Sequence, residues 1–226
     1  MPSDAPASEP PPADRSKPRR YRAPGREEQK RETRERILHC ALIDFSQRGF
    51  DAASLRDIAA EAQVSFAAIQ KHFGTKDALW RAAIDEMFAR QEEELGSAQW
   101  AAAERATPAD LREFIHRYVR YCARHPEHVR ITVHESLRDT ERVRWITERH
   151  IKKVHEPFVR LFERSVEDGW LPDIPAISML YILTSAAGTM FALGAEVRHV
   201  YGIDVHDPAV VEAHAAGLSA LILKGN

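Results

Sequence analysis

The side chains best suited to binding chemistry are concentrated in residues 54–73 and just beyond them. Arg56, Lys71 and Lys76 carry the positive charge that contacts with DNA phosphates require. Gln70 carries an amide that can pair with the edge of an adenine in the major groove. Phe66, Ala67 and Ala68 offer ring and methyl surface to thymine methyl groups, and the full predicted DNA-binding set is Ser54, Arg56, Ser65, Phe66, Ala67, Ala68, Gln70, Lys71, His72 and Lys76.

Two Glu-x-x-His pairs suggest a different chemistry, because such pairs hold di-iron sites inside helical bundles. They are Glu113/His116 and Glu196/His199, and they leave open an alternative function as a metal-dependent helical oxidoreductase. At about 100° per residue, Glu113 lies almost opposite the apolar face of its predicted helix. We therefore expect that glutamate on the surface, where it could not join a buried metal site.

Other enzymatic motifs are incomplete in this sequence. His134-Glu135 begins like a zinc-protease motif, but Arg138 stands where the second histidine belongs. The sequence has no glycine-rich phosphate loop and no G-x-S-x-G motif, and its two cysteines have no metal-ligand spacing. The sequence predicts that the protein is not an enzyme and has no metal site or cofactor, although its eleven histidines leave a metal-sensing cluster open.

The elements that would position these residues are helices. Ser54 can cap a short helix that ends near Ala62, and Ser65 can cap a second one that ends at Gly74. Two short helices joined by a tight turn form a helix-turn-helix, whose second helix enters the major groove. The periodicity along the whole chain predicts an all-α protein of nine helices, near residues 37–49, 54–62, 65–74, 75–88, 107–125, 126–137, 141–169, 175–195 and 207–225.

Residues 31–88 resemble the tetracycline-repressor (TetR) family of bacterial transcriptional regulators. The resemblance is carried by Ala41, Phe45, Gly49-Phe50, Ile58-Ala59, Val64-Ser65, Ile69, His72-Phe73, Lys76 and Leu79. It implies a three-helix DNA-binding domain followed by a larger helical domain that binds a small-molecule effector and dimerises. The sequence departs from the family at two positions, with Gln63 where a turn glycine is usual and Gln70 where a phosphate-binding tyrosine is usual.

The resemblance and the helix pattern together predict three regions and a function. The predicted regions are a disordered Pro-rich, basic arm at 1–24, a helix-turn-helix domain at 27–90 and an effector-binding, dimerising domain at 91–226. The resemblance implies a homodimeric repressor of a palindromic DNA operator, released by a small molecule. The N-terminus lacks the apolar segment of a signal peptide, so we expect a cytoplasmic bacterial protein that associates with the nucleoid when bound to DNA.

The charge distribution is consistent with a polyanion partner at one end of the chain. The net charge is −2, yet residues 15–36 hold ten Lys/Arg against four Asp/Glu. Seven of the thirteen prolines lie in residues 1–24, which contain too little apolar surface to fold. We expect Arg19, Arg20 and Arg22 of this arm to contact DNA phosphates.

The larger domain has two further sets of candidate residues. Residues 174–195 carry no charge, but Pro175, internal glycines and the lack of a flanking basic cluster favour a buried helix over a membrane span. The predicted effector pocket comprises Tyr118, His134, Trp145, Arg149, His150, Phe158 and Tyr181. The predicted dimer interface is formed by small residues on the last two helices: Gly188, Ala192, Ala195, Ala213, Gly217 and Ala220.

Overall fold

The computed structural model describes residues 25–96 and 106–224, and within these ranges the chain forms ten helices and no strand. The first four are α1 (Arg26–Ala52), α2 (Leu55–Glu61), α3 (Phe66–Phe73) and α4 (Lys76–Leu95). The others are α5 (Pro108–Arg124), α6 (Pro126–Ser136), α7 (from Glu141 to Glu167), α8 (Ala176–Ala192), α9 (Gly194–Tyr201) and α10 (Pro208–Ile222). The predicted all-α class is confirmed, and the predicted arm at 1–24 lies outside the described residues.

Two hydrophobic cores lie at opposite ends of α4. The first packs α1, α2 and α3 against the beginning of α4, around Ile37, Ile58, Ile69 and Trp80. Ile131 of α6 also enters this first core, so the N-terminal helices rest directly on the larger domain. The second core is formed mainly by α5, α7, α8 and α10, and Leu95 at the end of α4 belongs to it.

The uncharged run predicted as one helix is divided into two. Helix α8 ends at Ala192 and α9 begins at Gly194, with a bend of 66° between them. Leu193 has non-helical dihedrals at the break, and a Cβ on Gly194 would lie 2.9 Å from Cγ2 of Val205. Within the described ranges no single helix is long and apolar enough to cross a membrane, although this bent pair passes on length and composition.

The predicted long helix at 141–169 is continuous but irregular. Helix α7 consists of Glu141–Ile146, a π-helical turn at Thr147–Ile151 and Lys152–Glu167. A π turn is wider than an α turn and is frequent at functional sites. Here it changes the phase of the helix, so residues before and after it face different neighbours.

Candidate nucleic-acid interface and ligand cavity

Serine caps position the two helices of the helix-turn-helix. The Ser54 side chain accepts a hydrogen bond from the backbone N–H of Asp57 at 3.4 Å, at the start of α2. The Ser65 side chain accepts one from the N–H of Ala68 at 3.1 Å, at the start of α3. Each cap satisfies a backbone donor that would otherwise lack a partner inside its helix, which fixes where the helix begins.

The turn between these helices contains backbone strain at Gln63. This residue has φ +53°, a left-handed conformation that favours glycine. Its N–H bonds to the carbonyl of Ala60 at 3.1 Å, and the N–H of Val64 bonds to that of Ala59 at 2.9 Å. This pair of bonds is the Schellman motif that ends many helices, here with glutamine at the position where glycine is usual.

Helix α3 presents a solvent-facing side with both apolar and polar groups. Ile69 is buried and fixes the helix to the first core, whereas Ala67, Gln70 and Lys71 are exposed. Phe66, with 39% of its surface accessible, begins this exposed side although it is a large aromatic residue. An exposed aromatic ring beside an amide and an ammonium group is well suited to the edges and phosphates of DNA.

The basic residues of this region have different surroundings. Arg56 and Lys71 are exposed, and among the described residues neither is in an ion pair. Lys76 instead donates from Nζ to the carbonyl of Asp51 at 3.0 Å and lies 4.9 Å from the ring centre of Phe50. Lys76 therefore already contacts the end of α1, whereas the charged groups of Arg56 and Lys71 are available to bind DNA phosphates.

The beginning of α1 adds basic residues to this surface that were not in the predicted DNA-binding set. His72 is half-buried at the end of α3, and its pKa is lowered by burial and by the nearby charges of Lys30, Lys71 and Arg34. The Arg34 guanidinium lies 5.4 Å from the ring centre of Phe73. The positive surface therefore extends from α3 onto α1, and the high charge density of residues 15–36 was the signal for it.

The larger domain contains a cavity of about 470 Å³ between α4, α5, α6, α7 and α8. Tyr118 and Tyr181 line it, and Phe158 lines a smaller adjoining cavity of about 50 Å³ that also borders Tyr118. These three residues of the predicted effector pocket therefore lie at two adjoining cavities that share Tyr118. Both cavities lie beside α4, whose first half packs in the DNA-binding domain.

The other four predicted pocket residues do not reach this cavity, which corrects their assignment. The His134 ring packs on α1, where a Cβ on Gly49 would lie 2.6 Å from its Cε1. The ring of Trp145 lies 5.7 Å from that of Trp80 in the first core. Arg149 and His150 both bind the Asp85 carboxylate, through Nε at 2.6 Å and Nε2 at 2.8 Å, beside a separate surface groove. These α7 side chains therefore contact α4.

Three polar residues of the cavity wall were not predicted from the sequence. Gln91, which is 8% exposed, and His155 line both cavities, whereas His128 lines the larger one. Gln91 follows Leu79, Ala83 and Met87 on α4 at steps of four residues and precedes Leu95. A glutamine in an apolar stripe of this kind was the signal that could have identified it.

The predicted dimer residues divide into three groups. Ala213, Gly217 and Ala220 are exposed along one side of α10, and Ala195 is exposed on α9. Ala192 is half-buried. Gly188 is buried in its own chain, where a Cβ would lie 2.6 Å from Cγ2 of Val129 and 3.4 Å from Sγ of Cys122. Its assignment to an intermolecular interface is therefore wrong, because it serves the close approach of α8 to α6.

The Glu-x-x-His pairs do not converge on a metal site. Glu113 is exposed, as its helical position predicted, and His116 pairs with Glu212 of α10 at 3.7 Å. Glu196 and His199 are exposed on α9. In residues 25–96 and 106–224, no group of three or more His, Cys, Asp or Glu side chains is placed to hold a metal ion.

Comparison with known proteins identifies the family. Residues 37–83 match the family profile described as bacterial regulatory proteins, tetR family, and residues 108–222 match that of the tetracyclin repressor-like C-terminal domain. The second match alone covers half of the chain. The chain belongs to the tetR family. The helix-turn-helix, the larger helical domain and the DNA-binding regulator class that the sequence predicted are thereby confirmed.

Individual relatives are distant from this tetR-family chain. The Bacillus subtilis "Probable HTH-type transcriptional regulator YttP" is 26% identical over 137 residues, which cover 61% of this chain and 64% of that protein. The Mycobacterium tuberculosis "HTH-type transcriptional repressor Rv3405c" is 45% identical over 51 residues, 23% of this chain and 27% of that one. The chain thus matches less than two thirds of the length of these relatives.

A solved structure shows the same fold over most of the chain. The crystal structure of AibR in complex with isovaleryl coenzyme A and operator DNA superposes with a TM-score of 0.66. The superposition covers 86% of this tetR-family chain and 100% of that chain, at 18% sequence identity. At this identity the likeness shows a shared fold.

Proposed function

We propose that this protein is a homodimeric transcriptional repressor that binds a palindromic operator and is released by a small molecule. The exposed side of α3 carries this proposal, because Phe66, Gln70 and Lys71 stand there on a helix held by a serine cap. The family assignment supports the DNA-binding role, and the cavity beside α4 supports effector control. AibR, which was crystallised with both isovaleryl coenzyme A and operator DNA, provides a precedent on the same fold.

A homodimer supplies the two reading helices that a palindrome requires. We assign the interface to the exposed side of α10 with Ala213, Gly217 and Ala220, together with the adjacent exposed side of α8. Ile177 and Ile182 of α8 and Leu221 of α10 are exposed by 46–76% in the single chain, which is unusual for such side chains. Pairing the two helices with their copies would bury this surface in an interface of about 2,000 Å² or more.

The remaining parts of the proposal follow from the regulator role. We place the domain boundary near residue 90, within the second half of α4, as the sequence predicted. The proposed protein has no catalytic activity, cofactor or membrane partner, and it acts in the bacterial cytoplasm on chromosomal DNA. We retain no oxidoreductase alternative, since among the described residues no group of three or more His, Cys, Asp or Glu side chains is placed to hold a metal ion.

Genomic footprinting of the protein in its host would identify the operator, and two variants would then test the role of α3. Gln70→Ala should weaken discrimination at one base position by about 1–3 kcal/mol, because it removes a hydrogen bond to a base edge. Lys71→Ala should weaken binding to all sequences and lower the log–log salt slope by about one per phosphate contact removed. A uniform decrease with Gln70→Ala would assign this side chain to phosphate, and unchanged binding in both variants would contradict the proposed interface.

A further inference from the structure

The wall of the cavity contains a largely buried glutamine, Gln91, whose amide makes no hydrogen bond within the part of the chain that the structure describes. Gln91 is 8% exposed, and neither its carbonyl oxygen nor its amide nitrogen has a hydrogen-bond partner among the described residues. Its side chain lies where the larger and the smaller cavity adjoin. Among the described residues, Trp80 Nε1 is the one fully buried side-chain polar atom without a partner, so the Gln91 amide still reaches accessible space. Its hydrogen-bonding groups are therefore available to a ligand in the cavity.

Two uncharged imidazoles line the same space. Burial lowers the pKa of His155, and no partner of its ring nitrogens lies in the described part of the chain. Burial also lowers the pKa of His128 to about 3, and the ring bonds to the Tyr121 hydroxyl at 2.7 Å through Nδ1, which leaves Nε2. A neutral imidazole has one donor and one acceptor, so His155 can both give and accept a hydrogen bond, and Nε2 of His128 adds one further group.

The charged residues of the cavity lining are exposed rather than buried in its wall. Of its lining residues, the formally charged ones are Lys152 and Glu156, which are exposed at its mouth and have opposite signs. Lys152 already pairs with Glu148 at 2.5 Å. An ion buried among the remaining side chains would meet neutral groups alone and would lose its hydration without compensation.

We infer that the cavity binds an uncharged aromatic molecule that carries a hydroxyl or carbonyl group. The rings of Phe88, Tyr118 and Tyr181 supply the aromatic walls, and Gln91 and His155 supply the hydrogen bonds. The volume of about 470 Å³ lies in the range of ordinary small-molecule sites and fits a scaffold of two or three rings. This inference rests on the proposed function, since it names the class of the effector.

Three biphenyl compounds of equal size separate the ligand classes by charge. Calorimetric titration of the DNA-free full-length protein at pH 7.5 would compare 4-phenylphenol, biphenyl-4-carboxylate and 4-phenylbenzylammonium. We expect 4-phenylphenol to bind at least about 100-fold more tightly than either ion. Equal or tighter binding of an ion, or no binding of 4-phenylphenol up to its solubility limit, would overturn the inference. Tight binding of isovaleryl coenzyme A without binding of the phenol would overturn it as well.

Two variants locate the bound phenol. Gln91→Leu and His155→Leu should each weaken 4-phenylphenol binding about tenfold, because each removes one hydrogen-bonding group. Gln29→Leu, on the exposed side of α1, is the matched control and should leave the affinity unchanged. Unchanged affinity in both cavity variants, with folded protein by circular dichroism, would refute the site. Operator binding without ligand is measured separately, so its loss or retention tests the proposed function independently of the ligand class.

Discussion

At the scale of single residues, Gln63 shows how the chain tolerates a position that suits glycine. Its φ of +53° costs an L-residue about 1–2 kcal/mol, and the Schellman hydrogen bonds on either side hold it there. The strain lies in the turn that sets the angle between α2 and α3. The position was indicated by the resemblance to the tetR family, in which this turn usually has glycine.

Relief of this strain should stabilise the protein. We expect Gln63→Gly to raise the free energy of unfolding by about 0.5–1 kcal/mol, since the gain in the turn exceeds the entropy that glycine adds to the unfolded chain. Gln29→Gly, the same change inside α1, should lower it by about 1 kcal/mol. Urea titrations of both variants measure whether the free energy of unfolding rises in Gln63→Gly and falls in Gln29→Gly. A decrease in Gln63→Gly would show that the glutamine side chain itself stabilises the turn.

The buried His128 makes stability depend on acid pH. Its pKa of about 3 lies below that of the unfolded chain, near 6.5, so the unfolded state binds more protons between these values. Stability should therefore fall as pH decreases from about 6.5, by about 1.4 kcal/mol per pH unit from this group. His128→Asn can keep a hydrogen bond to Tyr121. It should reduce the slope by about 1.4 kcal/mol per pH unit, which corresponds to one bound proton. An unchanged slope in urea titrations from about pH 4 to 6.5 would contradict this assignment.

At the scale of helices, the parts that could be predicted from sequence are those with local causes. Caps at Ser54 and Ser65 and the apolar periodicity set the first three helices, and both caps form as expected. Thr75 caps α4 in the same way. The break at Leu193 and the π turn of α7 depend on tertiary packing, such as the approach of Val205 to Gly194. The pocket candidates on the first part of α7 lie away from the cavity, whereas those on α5 and α8 line it.

The two glycines predicted as dimer residues have opposite structural settings. A Cβ on Gly217 meets no atom of the described residues within 4 Å, whereas one on Gly188 would lie 2.6 Å from Cγ2 of Val129. We expect Gly217→Leu to remain folded but to dissociate the dimer, because the added side chain would overpack the interface. Gly188→Leu should instead destabilise the single chain by several kcal/mol.

Sedimentation velocity and thermal unfolding of the two variants distinguish these outcomes. Ala60→Leu on the exposed side of α2 is a matched small-to-large control and should leave the dimer intact. A folded Gly217→Leu protein that sediments as a dimer with full operator affinity would remove α10 from the interface. A stable, monomeric Gly188→Leu protein would return that glycine to the dimer interface.

At the scale of the whole molecule, α4 connects the cavity with the DNA-binding domain. Its beginning packs in the first core through Leu79 and Trp80, and Phe88 and Gln91 farther along line the cavity. The Phe88 ring also stacks on that of His150 at 4.4 Å, beside the bonds of Asp85 to α7. A ligand that displaces Phe88 would therefore move α4, and α3 packs against α4 in the first core. This contact is the physical connection between cavity and DNA-binding helix that effector control requires.

The charge asymmetry of the molecule yields the last prediction, on the N-terminal arm. Residues 1–83 hold 15 Lys/Arg and 12 Asp/Glu, whereas the rest of the chain is net acidic. Deletion of residues 1–24, or replacement of Arg19, Arg20 and Arg22 by glutamine, should weaken operator binding at low salt. The log–log salt slope should fall by about one for each phosphate that the arm no longer neutralises, with base preference unchanged. Fluorescence anisotropy at several salt concentrations measures both, and an unchanged slope and affinity would show that the arm does not touch DNA.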